Sequence, residues 1–162
     1  MARLVSKEQG LNGSASSLAQ AIPNALKDAG LSGTENITIT DGSGLSPKNQ
    51  VSPLFVAQFM AEGASGAGSI GANFAMLPIG GTSGDLYDRF VGDAAAASGA
   101  VTAKSGWTNQ EHSLGGVVNA PDGTKLAFAF YAIGEGISRD ARAAIDNLVA
   151  GVFSCGNNLS NY

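Results

Sequence analysis

The stretch LGGVVNAPDGTKLAFAFYAI, residues 114–133, decides the fold class of this chain. Two apolar runs, Leu114–Asn119 and Leu126–Ile133, flank Ala120-Pro121-Asp122-Gly123. Proline presets φ, aspartate bonds backbone two residues on, and glycine supplies a positive φ, so the chain reverses tightly there. The two runs are therefore antiparallel strands. The second is apolar at every position, which predicts a strand central in its sheet or covered on both faces. Upstream, Ala100-Val101-Thr102-Ala103-Lys104-Ser105-Gly106 reads as another strand. Downstream, Ser138 can cap a helix with Ala141, Ile145, Leu148, Val149 and Val152 on one face, ended by Gly156. Antiparallel strands followed by a covering helix make an α+β layer.

The first 99 residues read as mainly helix and loop. Residues 1–9 form a helix tail closed by Gly10. Ser16 or Ser17 caps a helix carrying Leu18, Ile22, Ala25, Leu26 and Ala29, with Pro23 in its early turns and Gly30 and Gly33 as stops. Asn36–Thr40 alternates like a short strand. Asp41–Asn49 is a compact polar loop. Ser52-Pro53 opens a helix through Phe55, Val56, Phe59 and Met60. Residues 63–72 read as a small-residue linker, and Leu77–Gly81 as a turn. Ser83 caps a short helix holding Leu86, Tyr87 and Phe90, and residues 92–99 are featureless. No repeat is present. The expected organisation is one domain portion over 1–162, with strands and the closing helix in 100–162.

Composition narrows the function. The 162 residues carry a net charge of −4, which argues against nucleic-acid partners. Hydrophobic residues are 44% and charged residues 14%, a balance that folds rather than staying disordered. The lone Cys155 excludes a disulfide scaffold and is expected to be inert. The longest apolar stretch, Leu126–Ile133, is far short of the roughly 20 residues that span a bilayer. Met1–Glu8 lacks the apolar run of a secretory signal. Gly, Ala and Ser make up 66 of the 162 residues, a heavy load of small side chains for a self-sufficient core.

Two segments stand out chemically. In the first, Ser43, Ser46 and Asn49 sit in a loop stiffened by Pro47 and leading to a helix; the plainer reading is a turn and cap. In the second, Lys104-Ser105-Gly106 ends a strand. An ammonium beside a hydroxyl can hold a carboxylate, and the glycine lets a backbone or ligand approach closely. The plainer reading is a solvated edge lysine. His112 has no triad spacing and reads as a loop histidine. Asp41, Asp85 and Asp88 imitate a metal set, but no spaced His or Cys supports one, so neither metal nor cofactor is expected. Gly42 and Gly44 lack the frame of a dinucleotide site. Trp107 either lines a pocket or covers the core.

Taken in order, the segments form a pattern. It runs Asp41-Gly42-Ser43-Gly44-Leu45-Ser46 with Asn49, then Leu77-Pro78-Ile79-Gly80-Gly81 with Gly84 and Leu86. Thr102-Ala103-Lys104-Ser105-Gly106 and Leu114-Gly115-Gly116-Val117-Val118 follow, then Asp122-Gly123 with Leu126-Ala127-Phe128. The series, across residues 1–153, resembles the class C low-molecular-mass penicillin-binding proteins, the D-alanyl-D-alanine carboxypeptidases/endopeptidases that trim peptidoglycan stem peptides. The resemblance implies a serine acyl-transferase of the β-lactamase/transpeptidase-like fold, with S-x-x-K, S-x-N-type and K-T/S-G motifs. It implies that Ser46 and Asn49 stand for the second motif and Lys104-Ser105-Gly106 for the third, although the spacing here is S-x-x-N. Ser46 would relay a proton to the leaving amine, and Asn49 would contact the substrate amide. Lys104 and Ser105 would hold the terminal carboxylate. The strand after Gly106 would line the peptide, with the Trp107 N–H as one oxyanion-hole arm.

One element departs from that pattern. The residues three before Lys7, Lys27, Lys48, Lys104 and Lys125 are Leu4, Asn24, Leu45, Val101 and Asp122, so no S-x-x-K exists. With the missing signal, this leads to the expectation of a C-terminal part of a longer, extracytoplasmic protein whose nucleophile lies upstream. Its partners would be stem peptides or β-lactams and the missing N-terminal half. A non-catalytic module binding muropeptides or peptidyl-carboxylates is a second expectation. A small cytosolic α+β protein with coincidental motifs is a third. Alone, the third strand would present an unpaired apolar edge, an aggregation liability.

Overall fold

In the computed structural model, which describes residues 1–159, the turn at Ala120–Gly123 closes as its residues require. Gly123 has φ +87° and donates to Ala120 O at 3.0 Å, and Asp122 Oδ1 accepts from Thr124 N at 2.9 Å. Residues 160–162, counted in the expected domain, lie outside the described residues. The chain forms two compact units, Met1–Phe55 and a second that begins at Val56. The change from mostly helical chain to strands falls later, near residue 100.

The second unit holds the sheet. Strands β1 (Val101–Thr108), β2 (Glu111–Asn119) and β3 (Lys125–Ile133) are antiparallel in the order β1-β2-β3. Among the described residues β2 is central and β3 has one unpaired side, the open apolar edge expected of the chain alone. Burial follows. His112 and Leu114–Val118 of β2 are buried, whereas in β3 only Phe128 is fully so and Ile133 is 72% exposed. Glycines make β2 a double-sided layer. A Cβ at Gly116 would meet the Ala103 side chain, and one at Gly115 would meet Val56 Cγ1.

One sheet face packs on the helix Asp140–Cys155, the last of five α-helices and so α5. Ile145, Val149 and Ala150 join Val101, Ala103, Leu114, Val118 and Phe128 in the core. Leu148, expected on that face, is 54% exposed. The cap position is Arg139, without a side-chain cap, and Ser138 just before it accepts from Asp140 N at 3.1 Å. The 92–99 stretch is not featureless. Gly92–Ala97 is a 3-10 turn, and Ala94 and Ala97 are core residues.

A buried ion pair fastens the 84–92 segment to α5. Arg89 Nε and Nη2 donate to Asp146 Oδ1 at 3.0 and 2.5 Å, and Phe90 N donates to Asp146 Oδ2 at 3.4 Å. Phe90 adopts φ +57° and is buried, a conformation costing about 1–3 kcal/mol that the surroundings must enforce. Gly80 makes room, since a Cβ there would strike the Phe90 ring. Residues 78–80 lie along the outer edge of β1: Ala103 N donates to Pro78 O at 3.1 Å and Gly80 N to Val101 O at 2.9 Å.

The remaining helices are α1 (Ala2–Glu8), α2 (Leu18–Asp28), α3 (Pro53–Ala64) and α4 (Gly68–Phe74). Ser52 caps α3 as its sequence predicts, accepting from Phe55 N at 3.1 Å. Ser17 precedes α2, but its hydroxyl donates to Ser14 O instead of capping. The linker read at 63–72 is instead the end of α3 and most of α4. Gly71 lies against Gly66, where a Cβ would overlap the Gly66 carbonyl carbon. The strand read at 36–40 reduces to a bridge between Thr38 and Gln50 after a 3-10 turn at Thr34–Asn36. No helix among the described residues is long and apolar enough to cross a membrane.

Candidate functional site

The loop Asp41–Asn49, in the first unit, is organised around one carboxylate. Asp41 accepts from Asn49 Nδ2 at 2.8 Å, Ser43 Oγ at 2.8 Å, Gly44 N at 3.0 Å and Ser46 N at 3.0 Å. The Asn49 amide, then Ser43 and the two backbone N–H groups, hold the Asp41 carboxyl below the ordinary carboxylate range against a small upward push from burial. Asn49 Oδ1 in turn accepts from Thr40 N at 2.7 Å and Thr40 Oγ1 at 3.0 Å. Thr40 Oγ1 also donates to Ser46 Oγ at 2.7 Å, which accepts from Lys48 N as well at 3.2 Å. Ser46 and Asn49 are thus brought together by Thr40 and Asp41. Thr40 Oγ1 has one proton for Ser46 Oγ and Asn49 Oδ1, so Ser46 accepts from Lys48 N and shares the Thr40 hydroxyl with Asn49.

The second candidate segment, in the unit that begins at Val56, is the end of β1. Lys104 Nζ donates to Asp85 Oδ2 at 3.0 Å and to Ser105 O at 2.7 Å. Ser105 Oγ donates to the same Asp85 oxygen. Lys104 is therefore not a freely solvated edge lysine. Burial pushes the Asp85 carboxyl up, and the bonds from Ser105 and Lys104 with the Lys104 charge outweigh it, leaving the group below its ordinary range. A Cβ at Gly106 would meet Ser113 Oγ of β2, a side-chain tip rather than the backbone or ligand expected there. Backbone alternation decides what the edge offers. Val101 and Ala103 direct N–H and C=O outward to residues 78–80, so Ser105 and Trp107 do the same beyond the end of that pairing. Trp107 is 63% exposed, so it does not cover the core.

Several residues take other roles than the sequence suggests. His112 is no loop residue: it lies buried in β2, stacked on Trp107 with ring centroids 6.1 Å apart, and its Nε2 meets no partner among the described residues. Asp41 and Asp85 serve the two clusters just described, and Asp88 pairs with Arg142. No group of three metal-ligating side chains exists among the described residues. Cys155 is a free, exposed thiol. Sequence reasoning overlooked Thr40 and the pairing of Asp85 with Lys104. Thr40 falls at the border of a misread strand, and Asp85 lies 19 residues from Lys104.

Residues 1–152 match the profile of the D-Ala-D-Ala carboxypeptidase 3 (S13) family. The chain belongs to that family. A family relative, the carboxypeptidase DacB of Mycolicibacterium smegmatis, is 32% identical over 139 residues, which are 84% of this chain and 30% of the relative. Among solved structures, penicillin binding protein 4 (dacB) from Haemophilus influenzae, complexed with a β-lactam, superposes with a TM-score of 0.76 at 22% identity. The match covers 93% of this chain and 36% of that one. Bd3459, a predatory peptidoglycan endopeptidase from Bdellovibrio bacteriovorus, gives a TM-score of 0.63 at 17% identity over 94% of this chain and 42% of that one. The fold is thus a partial transpeptidase-like fold, and the S13 chain spans less than half the length of each of these relatives.

Proposed function

We propose that this S13 chain supplies the second and third elements of a serine acyl-transfer site acting on D-Ala-D-Ala-ended stem peptides of peptidoglycan. The observation that carries the reading is the end of β1. Lys104 and Ser105 there donate together to one carboxylate oxygen, beside an outward-facing peptide edge. That arrangement suits a peptide with a free C-terminal carboxylate. The ammonium and hydroxyl bind the carboxylate, Ser105 and Trp107 pair with the peptide backbone, and the Trp107 N–H serves a developing oxyanion.

In the same reading Ser46 passes its hydroxyl proton to the leaving amine, and Asn49 orients the substrate amide. The acylated serine and its lysine base come from chain outside these 162 residues, since no Ser or Thr stands three residues before any lysine. The reaction is extracytoplasmic, where peptidoglycan is, and this chain alone binds without being acylated.

The test is incubation of the chain with benzylpenicillin, read by intact-mass spectrometry and amide chemical shifts. An unchanged mass, with shifts at Ser105 and Trp107 that Lys104→Ala abolishes, is expected. A covalent adduct overturns the assignment of the nucleophile, and shifts indifferent to Lys104 overturn the assignment of the β1 edge.

A further inference from the structure

Lys104 and Ser105 already hold a carboxylate in this structure. It is the chain's own Asp85, whose Oδ2 accepts from both Lys104 Nζ and Ser105 Oγ. One oxygen satisfying an ammonium and a hydroxyl together is the contact pattern that a terminal carboxylate of a ligand would make. The two anions compete for the pair, because a second carboxylate meets like-charge repulsion from Asp85 and finds the single Ser105 hydroxyl proton already taken.

The placement of Asp85 makes the contact both persistent and reversible. Its backbone is fixed in the 3-10 turn Gly84–Leu86, with Leu86 fully buried and Gly84 at φ +56° against Pro78. The turn itself is held by Gly81 N donating to Leu86 O at 2.8 Å and by Ser83 Oγ accepting from Ile79 N at 2.9 Å. The carboxylate therefore stays within reach of the pair, yet it can leave by side-chain rotation alone. The Lys104 and Asp85 side chains are 56% and 42% exposed, so water replaces the broken contact at modest cost.

We propose that Asp85 is a built-in carboxylate ligand of the Lys104–Ser105 pair, which an incoming carboxylate must displace, so that Asp85 limits affinity for carboxylate-ended ligands. The inference rests on the reading of that pair as the carboxylate site. It makes Asp85 a specificity-determining residue: its charge penalises acids and leaves neutral-ended peptides untouched.

The experiment titrates the full chain with N-acetyl-D-Ala-D-Ala and with its C-terminal amide, following the Ser105 and Trp107 amides. Asp85→Asn keeps the shape and removes the charge, and Asp85→Ala removes the acceptor as well. Both variants should bind the acid about threefold to tenfold more tightly than the unmodified chain, the span of an exposed ion pair with one charge-assisted hydrogen bond, and bind the amide equally well. Unchanged acid affinity in both variants, with Lys104→Ala still weakening it, overturns the role of Asp85 and spares the carboxylate site. Weaker acid binding in both variants makes Asp85 a positioning residue and overturns the proposal. Acid affinity indifferent to Lys104→Ala removes the carboxylate site and the proposal together.

Discussion

Asp41 governs the shape of its loop through charge. It accepts four hydrogen bonds from Asn49, Ser43, Gly44 and Ser46, each stronger to the ionised carboxylate than to the neutral acid. Its carboxyl is therefore held below the ordinary value of 3.8. A group depressed in the folded state stabilises fully above its unfolded value and loses that contribution as pH falls through the lower folded value. The loop should accordingly be intact at neutral pH and loosen only well into acid. In an NMR titration, the Gly44 and Ser46 amides and the Asp41 carboxyl should move together below pH 3.8, and Asp41→Asn should erase the transition. Titration at the ordinary carboxylate value would show that the four bonds do not cage the charge. At this scale the sequence was half legible. Turn-forming glycines and Pro47 mark Ser46 and Asn49 as fixed, and an ammonium beside a hydroxyl marks Lys104 and Ser105. Their partners Thr40 and Asp85 come from outside each motif, and no local pattern announces a tertiary hydrogen bond.

Among elements, periodicity and turn chemistry located the three strands, the helix opened by Ser52-Pro53 and the closing helix. What they could not rank was strand order. An all-apolar run reads as central, and among the described residues β3 has one unpaired side, while glycines in β2 let Val56 of α3 and Ala103 of β1 close over the middle strand. Small residues misled again at Ala94 and Ala97, where alanine is a core residue and not a spacer. The attachment of the 84–92 segment to α5 was equally hidden, since Arg89 and Asp146 are 57 residues apart. Their side chains are 4% and 8% exposed, so removing one partner strands a buried charge. Asp146→Ala should cost about 3–5 kcal/mol in urea denaturation, whereas Arg89→Met with Asp146→Leu should cost less than either single change. A loss near zero for Asp146→Ala would mean that water reaches Arg89. The segment carries Asp85 as well as Arg89, so Asp146→Ala should also disturb the Lys104–Ser105 contacts.

The small-residue load acquires a physical meaning at the level of the whole chain. A Cβ on Gly71 would strike Gly66, one on Gly80 the Phe90 ring and one on Gly116 the Ala103 side chain, so glycine is a packing device here. The same economy leaves one surface weakly defended. Among the described residues no strand pairs with the outer edge of β3, which presents backbone donors and acceptors along Lys125–Ile133. Only Lys125 puts a charge on that strand, at its very start. Such an edge templates pairing with another copy. Ala127 offers the remedy, since it is exposed and alternates to the face opposite the buried Phe128. A lysine there charges the edge without entering the core. The unmodified chain should therefore show concentration-dependent self-association in size-exclusion chromatography. Ala127→Lys should move it toward monomer with an unchanged circular-dichroism spectrum. A sharp cooperative melt of the unmodified chain as a monomer would overturn the edge argument. Ile133→Lys makes the control that separates stickiness of the side chain from that of the backbone. Ile133 is apolar and exposed but ends the strand, so charge there should do less than charge at Ala127 if the backbone edge is the template.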